Sequence, residues 1–429
     1  VVLDALYIVP MLPPDDDAAW APLAAQFSIR PDTTYLNHGS FGPPPAAVRQ
    51  ARRRWLETFE QQPMDAFVRQ LEPAWISARD RLAAFVGTSG ANLIFVENAT
   101  VGMNVVADSF PLAAGDEVLL TDHEYGAVQR IWRRACEKAG AAAKTVVLPL
   151  PFRTAEETVA AIFAAVTGRT RLIVVSHITS PTAVILPVQQ VCDEARRRGI
   201  AVAIDGPHAL AQVPVAIDAL GCDFYAASCH KWLSAPFGSG MLYVAPKHQS
   251  LVRPPVLSWG RIPPTRIESW ADEFVWAGTR DNSAYLAVPA AIEFLDSVGL
   301  DAFRRRTHWL AQYARRKLVE QFALDPIVPD DPAWYGSMAH VPLPSPRGPF
   351  APRAESHRAE RDEDIIPSDE GCPVSNPLQH TIWRELGIEV PIVEFAGTRY
   401  IRVSCHLYNN TEQIDRLVSG LSKLLAAGH

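Results

Sequence analysis

The chain has 429 residues, more than one hydrophobic core usually serves, so two domains are expected. Apolar residues make up 48% and charged residues 20%, the balance of an ordinary folded enzyme and not of a disordered or fibrous chain. A net charge of −7 with scattered basic residues argues against a nucleic-acid partner, and no apolar run reaches the roughly 18 residues of a membrane span.

The six cysteines (Cys136, Cys192, Cys222, Cys229, Cys372 and Cys405) show no CxxC pairing and no metal-ligand spacing. With no disulfide framework and no secretory leader, a reducing cytoplasm is the expected compartment. Residues 1–30, rich in Pro, Asp and Ala, read as a loosely held N-terminal arm. Helical periodicity follows at 45–61 and 72–86, the second stopped by Gly87.

Strand and helix patterns then alternate. Strands are predicted at Leu93–Val96, Glu117–Thr121, Thr145–Leu150, Arg171–His177, Ala201–Asp205, Phe224–Ser228 and Met241–Val244. Helices at 100–109, 125–139, 154–166 and 188–198 separate the first five. This predicts an α/β fold with a mainly parallel seven-stranded sheet covered on both faces. The short spacing before Met241 suggests that the last strand is an antiparallel edge.

After about residue 285 the pattern changes. Helices at 283–298 and 301–322 precede a strand at Ser337–Val341, then a polar, Pro-rich stretch at 342–377 reads as an insertion loop without regular structure. A helix at 378–386, strands at 388–393 and 400–405, and a helix at 411–426 complete a smaller α+β unit. The expected division is an arm (1–30), a large domain (31–285) and a small C-terminal domain (286–429).

Ligands of open parallel sheets bind beyond the carboxyl ends of the strands, so polar residues ending strands carry most information. Asp205 closes the apolar run AVAID, where an unpaired carboxylate is costly. Lys231 follows the strand FYAAS within Ser228-Cys229-His230-Lys231-Trp232. Partial burial there lowers the lysine pKa and favours the nucleophilic amine. Such an acid and amine suit pyridoxal 5'-phosphate, whose pyridine nitrogen needs a carboxylate and whose aldehyde needs an amine. A structural Asp–Lys ion pair fits these two residues equally well.

The surrounding blocks decide between them. Asp205-Gly206-Pro207-His208, Cys222-Asp223-Phe224, Ser228 to Trp232 and Gly238-Ser239-Gly240 resemble, in order and spacing, the cofactor signature of the class V aminotransferase family, pyridoxal-phosphate enzymes of fold type I. Ala277-Gly278-Thr279-Arg280 resembles its next block, and Arg402-Val403-Ser404 with Tyr408-Asn409-Asn410 its last. The resemblance implies that Lys231 forms the Schiff base and carries the Cα proton, that Asp205 pairs with the pyridine nitrogen, and that His208 reaches the ring hydroxyl. It implies phosphate ligands at Ala99, Thr100, Ser228 and His230, with Thr279 from the neighbouring subunit of a homodimer. Tyr125 falls where the family stacks an aromatic ring on the cofactor. Arg402 falls where it clamps the carboxylate of a small amino-acid substrate, bidentately.

Within the family, Tyr35 to Gly42 and Thr179-Ser180-Pro181-Thr182 resemble the isopenicillin N epimerase-like branch, which adds Asn37, His38 and Ser180 as substrate-facing candidates. Glycines in the first of these segments allow close backbone approach to a ligand. No cysteine lies between Pro391 and Tyr400, where a desulfurase needs one shortly before its arginine. Epimerisation is therefore expected, with Tyr125, His38 or water returning the proton on the second face. A C–S lyase, an aminotransferase and a non-catalytic pyridoxal-phosphate-binding scaffold are the alternatives.

Overall fold

A computed structural model of the chain describes residues 12–344 and 376–428. Seven strands build the central sheet: β1 Leu93–Val96, β2 Glu117–Thr121, β3 Ala142–Val146, β4 Thr170–Ser176, β5 Ala201–Asp205, β6 Phe224–Ser228 and β7 Gly240–Val244. Their order is β1-β7-β6-β5-β4-β2-β3. Strands β2 to β6 are mutually parallel, and β7 runs against both of its neighbours, β6 and β1. The strand expected at an antiparallel edge is thus antiparallel but interior. Its run GMLYV is buried throughout, as a strand paired on both sides requires.

The parallel strands are connected through helices at Gly126–Ala139, Ala155–Ala164 and Val188–Arg197, and Ala99–Ser109 follows β1. In Gly126–Ala139 the buried residues Val128, Trp132 and Cys136 recur every fourth position, and Gly140 ends the helix at φ 69°. Every residue of β1, β2, β6 and β7 is buried, so both faces of the sheet are covered. Strand β3 starts three residues earlier than expected and stops at Val146. Beyond it, Pro149 and Pro151 cannot donate to a ladder, and Val147 is exposed.

The chain ends differ most from expectation. Residues 17–24 are not a loose arm but a helix, Asp17–Ala24, whose Trp20 is buried. The Asp17 carboxylate pairs with the buried Arg306 and accepts from the Thr411 amide (3.0 Å) and hydroxyl (2.6 Å), tying this segment to helices Leu300–Phe322 and Thr411–Ala426. A three-stranded antiparallel sheet joins Ile392–Phe395, Thr398–Ser404 and Met338–Pro342, placing Arg402 beside His340. Thr34–Tyr35 pairs in parallel with Ile388–Glu389, and Asn37 bridges to Ser404. These contacts bring residues 35–42 next to Arg402. Of the insertion predicted at 342–377, Pro342 ends a strand, Asn376 caps the helix Pro377–Leu386, and residues 345–375 lie outside the described residues. Among the described residues no helix is long and apolar enough to cross a membrane.

Candidate active site

Beyond the carboxyl ends of β5 and β6 lies a cavity of about 540 Å³. Ten of its walls bear on the chemistry: Ser40, Ala99, Thr100, Tyr125, Ser180, Asp205, Ser228, His230, Lys231 and Arg402. That volume is in the range of small-molecule sites. Asp205 is the last residue of β5 and is buried, yet its carboxylate has no hydrogen bond or ion pair with any described residue. Burial raises its pKa and the positive field of Lys231 only partly offsets this. Burial lowers the pKa of Lys231, Arg402 lowers it further, and Asp205 opposes both. Burial thus disfavours the charged form of both groups within one cavity, a pattern shared by active sites.

The Lys231 amine lies 3.1 Å from His208 Nε2, and Trp232 Nε1–H donates to His208 Nδ1 at 3.3 Å. His208 sits behind the lysine and does not line the cavity. His208, which the resemblance sets at a ring hydroxyl, meets the Lys231 amine through Nε2.

The phosphate candidates gather at one helix start. Asn98 caps Ala99–Ser109, accepting from the Val101 amide at 3.0 Å. The Ala99 amide donates to Ser228 Oγ (3.0 Å), which locks the end of β6 against this helix. The positive end of the helix dipole, with Thr100 on the cavity wall, favours an anion here. His230 adds a buried Nδ1 without a partner. Thr279 is exposed and lies outside this cavity.

Arg402 enters from the small sheet and is buried. It donates through Nη1 to the Ser180 carbonyl and through Nη2 to Ser40 Oγ (3.0 Å), leaving Nε without a partner. Burial lowers its pKa to about 10, so it remains a cation at neutral pH. Ser180 lines the cavity but acts chiefly as the support of Arg402. Tyr125 is 38% exposed at the start of Gly126–Ala139 and lines the cavity, so it is not ordinary core.

Two candidates point elsewhere. His38 is fully buried, with Nδ1 on Tyr408 (2.9 Å) and Nε2 on the Lys231 carbonyl (3.0 Å). Asn37 reaches Glu389 at 3.5 Å. Neither lines the cavity, because Asn37 bridges to Ser404 and turns this segment inward. At Gly42 a Cβ would lie 2.6 Å from His38 Nε2 and 2.8 Å from the Lys231 carbonyl, so this glycine serves close packing within the protein, whereas Gly39 of the same motif lines the cavity. Sequence reasoning missed Ser40, Phe41, Pro207, Phe237 and Val393. Ser40 sat inside a motif already singled out; the apolar wall residues carried no signal of their own. Among the described residues no cysteine lines the cavity, and no group of His, Cys, Asp and Glu could hold a metal.

A mainly parallel sheet of this order, with a buried acid and a desolvated lysine at its carboxyl edge, is the arrangement expected of an α/β enzyme that works through a carbonyl cofactor. The aminotransferase class-V profile matches residues 43–417, and the chain belongs to that family, whose cofactor is pyridoxal 5'-phosphate. It is 35% identical to an isopenicillin N epimerase of Amycolatopsis lactamdurans over 95% of this chain and 98% of that protein. It is 31% identical to a putative L-cysteine desulfhydrase 1 of Oryza sativa subsp. japonica, over 92% and 83%. In fold it resembles a C-DES mutant with glycine covalently linked to its PLP cofactor, with a TM-score of 0.77 at 20% identity over 93% and 98% of the two chains. The partnerless Asp205 carboxylate, the Lys231 amine and the anion-favouring start of Ala99–Ser109 fit the cofactor at its ring nitrogen, aldehyde and phosphate ends.

Proposed function

We propose that this chain is a pyridoxal-phosphate-dependent epimerase acting at Cα of an amino-acid substrate. Bound there, the cofactor supplies an electron sink that makes the Cα proton acidic. Lys231 would hold the aldehyde end and move the proton on one face of Cα. Asp205 would keep the ring nitrogen protonated, which its place on the cavity wall at the end of a buried strand supports. Thr100, Ser228 and His230, with the helix start at Ala99, would hold the phosphate, and Thr279 would join them from the second subunit of a homodimer. Arg402, fixed by Ser40 and Ser180, would orient the substrate carboxylate.

The observation that carries the epimerase reading is the make-up of the cavity wall. Besides Asp205 and His230, assigned above to the cofactor, it offers Lys231 and the phenol of Tyr125 as proton carriers, and no thiol among the described residues. With His38 turned away, Tyr125 is the side chain proposed to return the proton on the second face. The described thiols are buried, and burial raises Cys136 to about 11 and both Cys192 and Cys405 to about 12, which disfavours thiolate chemistry. The near full-length similarity to an isopenicillin N epimerase supports the same reading.

The test incubates holoenzyme with single enantiomers of candidate amino acids, resolved afterwards by chiral chromatography. Appearance of the opposite enantiomer at Cα supports epimerisation. Sulfide and a keto acid from cysteine would instead place the enzyme with the rice desulfhydrase relative and overturn the reading.

A further inference from the structure

Two hydrogen bonds in series behind the cavity give a role to a side chain outside it. An indole N–H can only donate, so the 3.3 Å contact from Trp232 Nε1 makes His208 Nδ1 an acceptor. His208 is fully buried, and burial together with the nearby Lys231 and Arg402 keeps it neutral. A neutral imidazole with a bare Nδ1 carries its proton on Nε2, the atom 3.1 Å from Lys231 Nζ. A bond donated by Nε2–H needs a lone pair opposite. The amine has one and the ammonium has none.

We propose that Trp232 is a positioning residue that fixes the His208 tautomer and so holds Lys231 as the neutral amine, the form that reacts with a carbonyl. The other groups facing Lys231 do not set this preference alone. Asp205 on β5 favours the ammonium, and Arg402 on the small sheet disfavours it. His230 is its neighbour, and His38 from the 35–42 segment meets only its carbonyl oxygen. Without the indole N–H, His208 is free to move its proton to Nδ1. Its Nε2 then accepts from an ammonium and stabilises the charged lysine. The backbone of His208 is held independently of Trp232, its carbonyl accepting from Gln212 Nε2 at 2.6 Å.

The proposal rests on Lys231 being the reactive amine, but its test needs no cofactor. In histidine-¹⁵N-labelled apoenzyme, with the His208 signals identified by their loss in His208→Gln, Nδ1 is expected to be unprotonated and Nε2 protonated. The opposite tautomer overturns the proposal, and this measurement uses the wild-type chain, so it stands even if a Trp232 variant folds poorly. In lysine-¹³C-labelled apoenzyme, with the Lys231 signal assigned from Lys231→Ala, Trp232→Phe is expected to raise the Lys231 titration midpoint by about one pH unit. That is roughly tenfold less neutral amine at a given pH. An unchanged or lowered midpoint contradicts it. Failure of the loaded enzyme to turn over an amino acid would count against the epimerase reading and leave the tautomer result intact.

Discussion

Two aspartates at opposite ends of the central sheet, Asp223 and Asp205, are treated in opposite ways. At the amino edge, Asp223 precedes β6, and its carboxylate accepts from His248 (2.8 Å), Lys247 (2.6 Å) and the Val202 amide (2.8 Å). Glu117, which opens β2, is met by Lys144, Arg169 and Thr167. At the carboxyl edge, Asp205 ends β5 and is buried, with the positive field of Lys231 acting on it. For Asp223, burial raises the pKa, but hydrogen bonds from His248 and Lys247 outweigh it and the net shift is downward. For Asp205, burial wins and the shift is upward. Asp223 is paired as a structural carboxylate, whereas Asp205 faces the cavity, where a buried carboxylate costs stability.

That contrast breaks if carboxyl-edge variants unfold the protein or amino-edge variants stop the chemistry. The largest expected effect is Lys231→Ala, which should lower turnover by about 10⁴-fold or more and remove the visible absorbance of the loaded enzyme, with the apoenzyme melting near wild type. Tyr125→Phe should slow inversion by about 10²-fold or more while exchange of the Cα proton of the starting enantiomer with solvent persists. Loss of exchange and inversion together would remove Tyr125 from the second face. Asp205→Asn should lower kcat about 10²-fold, equivalent to about 3 kcal/mol, yet raise the melting temperature of the apoenzyme, because it deletes a buried unpaired carboxylate. A lower melting temperature would mean that Asp205 has a structural partner. Arg402→Lys should raise KM for carboxylate substrates about tenfold with little change in cofactor affinity.

The smallest effect belongs to the amino edge. Asp223→Asn should cost about 1–3 kcal/mol in denaturant unfolding and leave kcat per folded enzyme unchanged. The sign of its pH dependence follows from the depressed pKa. The wild-type contribution is present above the ordinary aspartate value of 3.8 and is lost as pH falls through the lower folded value. The stability gap between wild type and Asp223→Asn should therefore narrow only below about pH 4, and a gap constant down to pH 2 would contradict the assignment.

Much of the sheet was legible because buried parallel strands are written as short apolar runs, and LIFV, FYAAS and AVAID admit little else. Strand-end position marks Asp205, Ser228 and Lys231 in the sequence itself. Pairing partners are not encoded locally, which is why β7 was expected at an edge when it lies between β6 and β1. The same limit applied to Asn37 and His38. Their motif marked the right segment, but the bridge from Asn37 to Ser404 decides which side chains face inward, and it gives the cavity Ser40 instead. The N-terminal helix escaped notice because its order depends on Arg306 and Thr411, some 290 and 390 residues away.

Solvent deuterium at Cα tests the central claim most directly. Holoenzyme turning over one enantiomer of its amino acid in D₂O should yield the opposite enantiomer labelled at Cα, and Lys231→Ala should yield none. Label appearing at the same rate without Lys231, or wild-type enzyme that neither exchanges nor inverts any amino acid, would contradict the account.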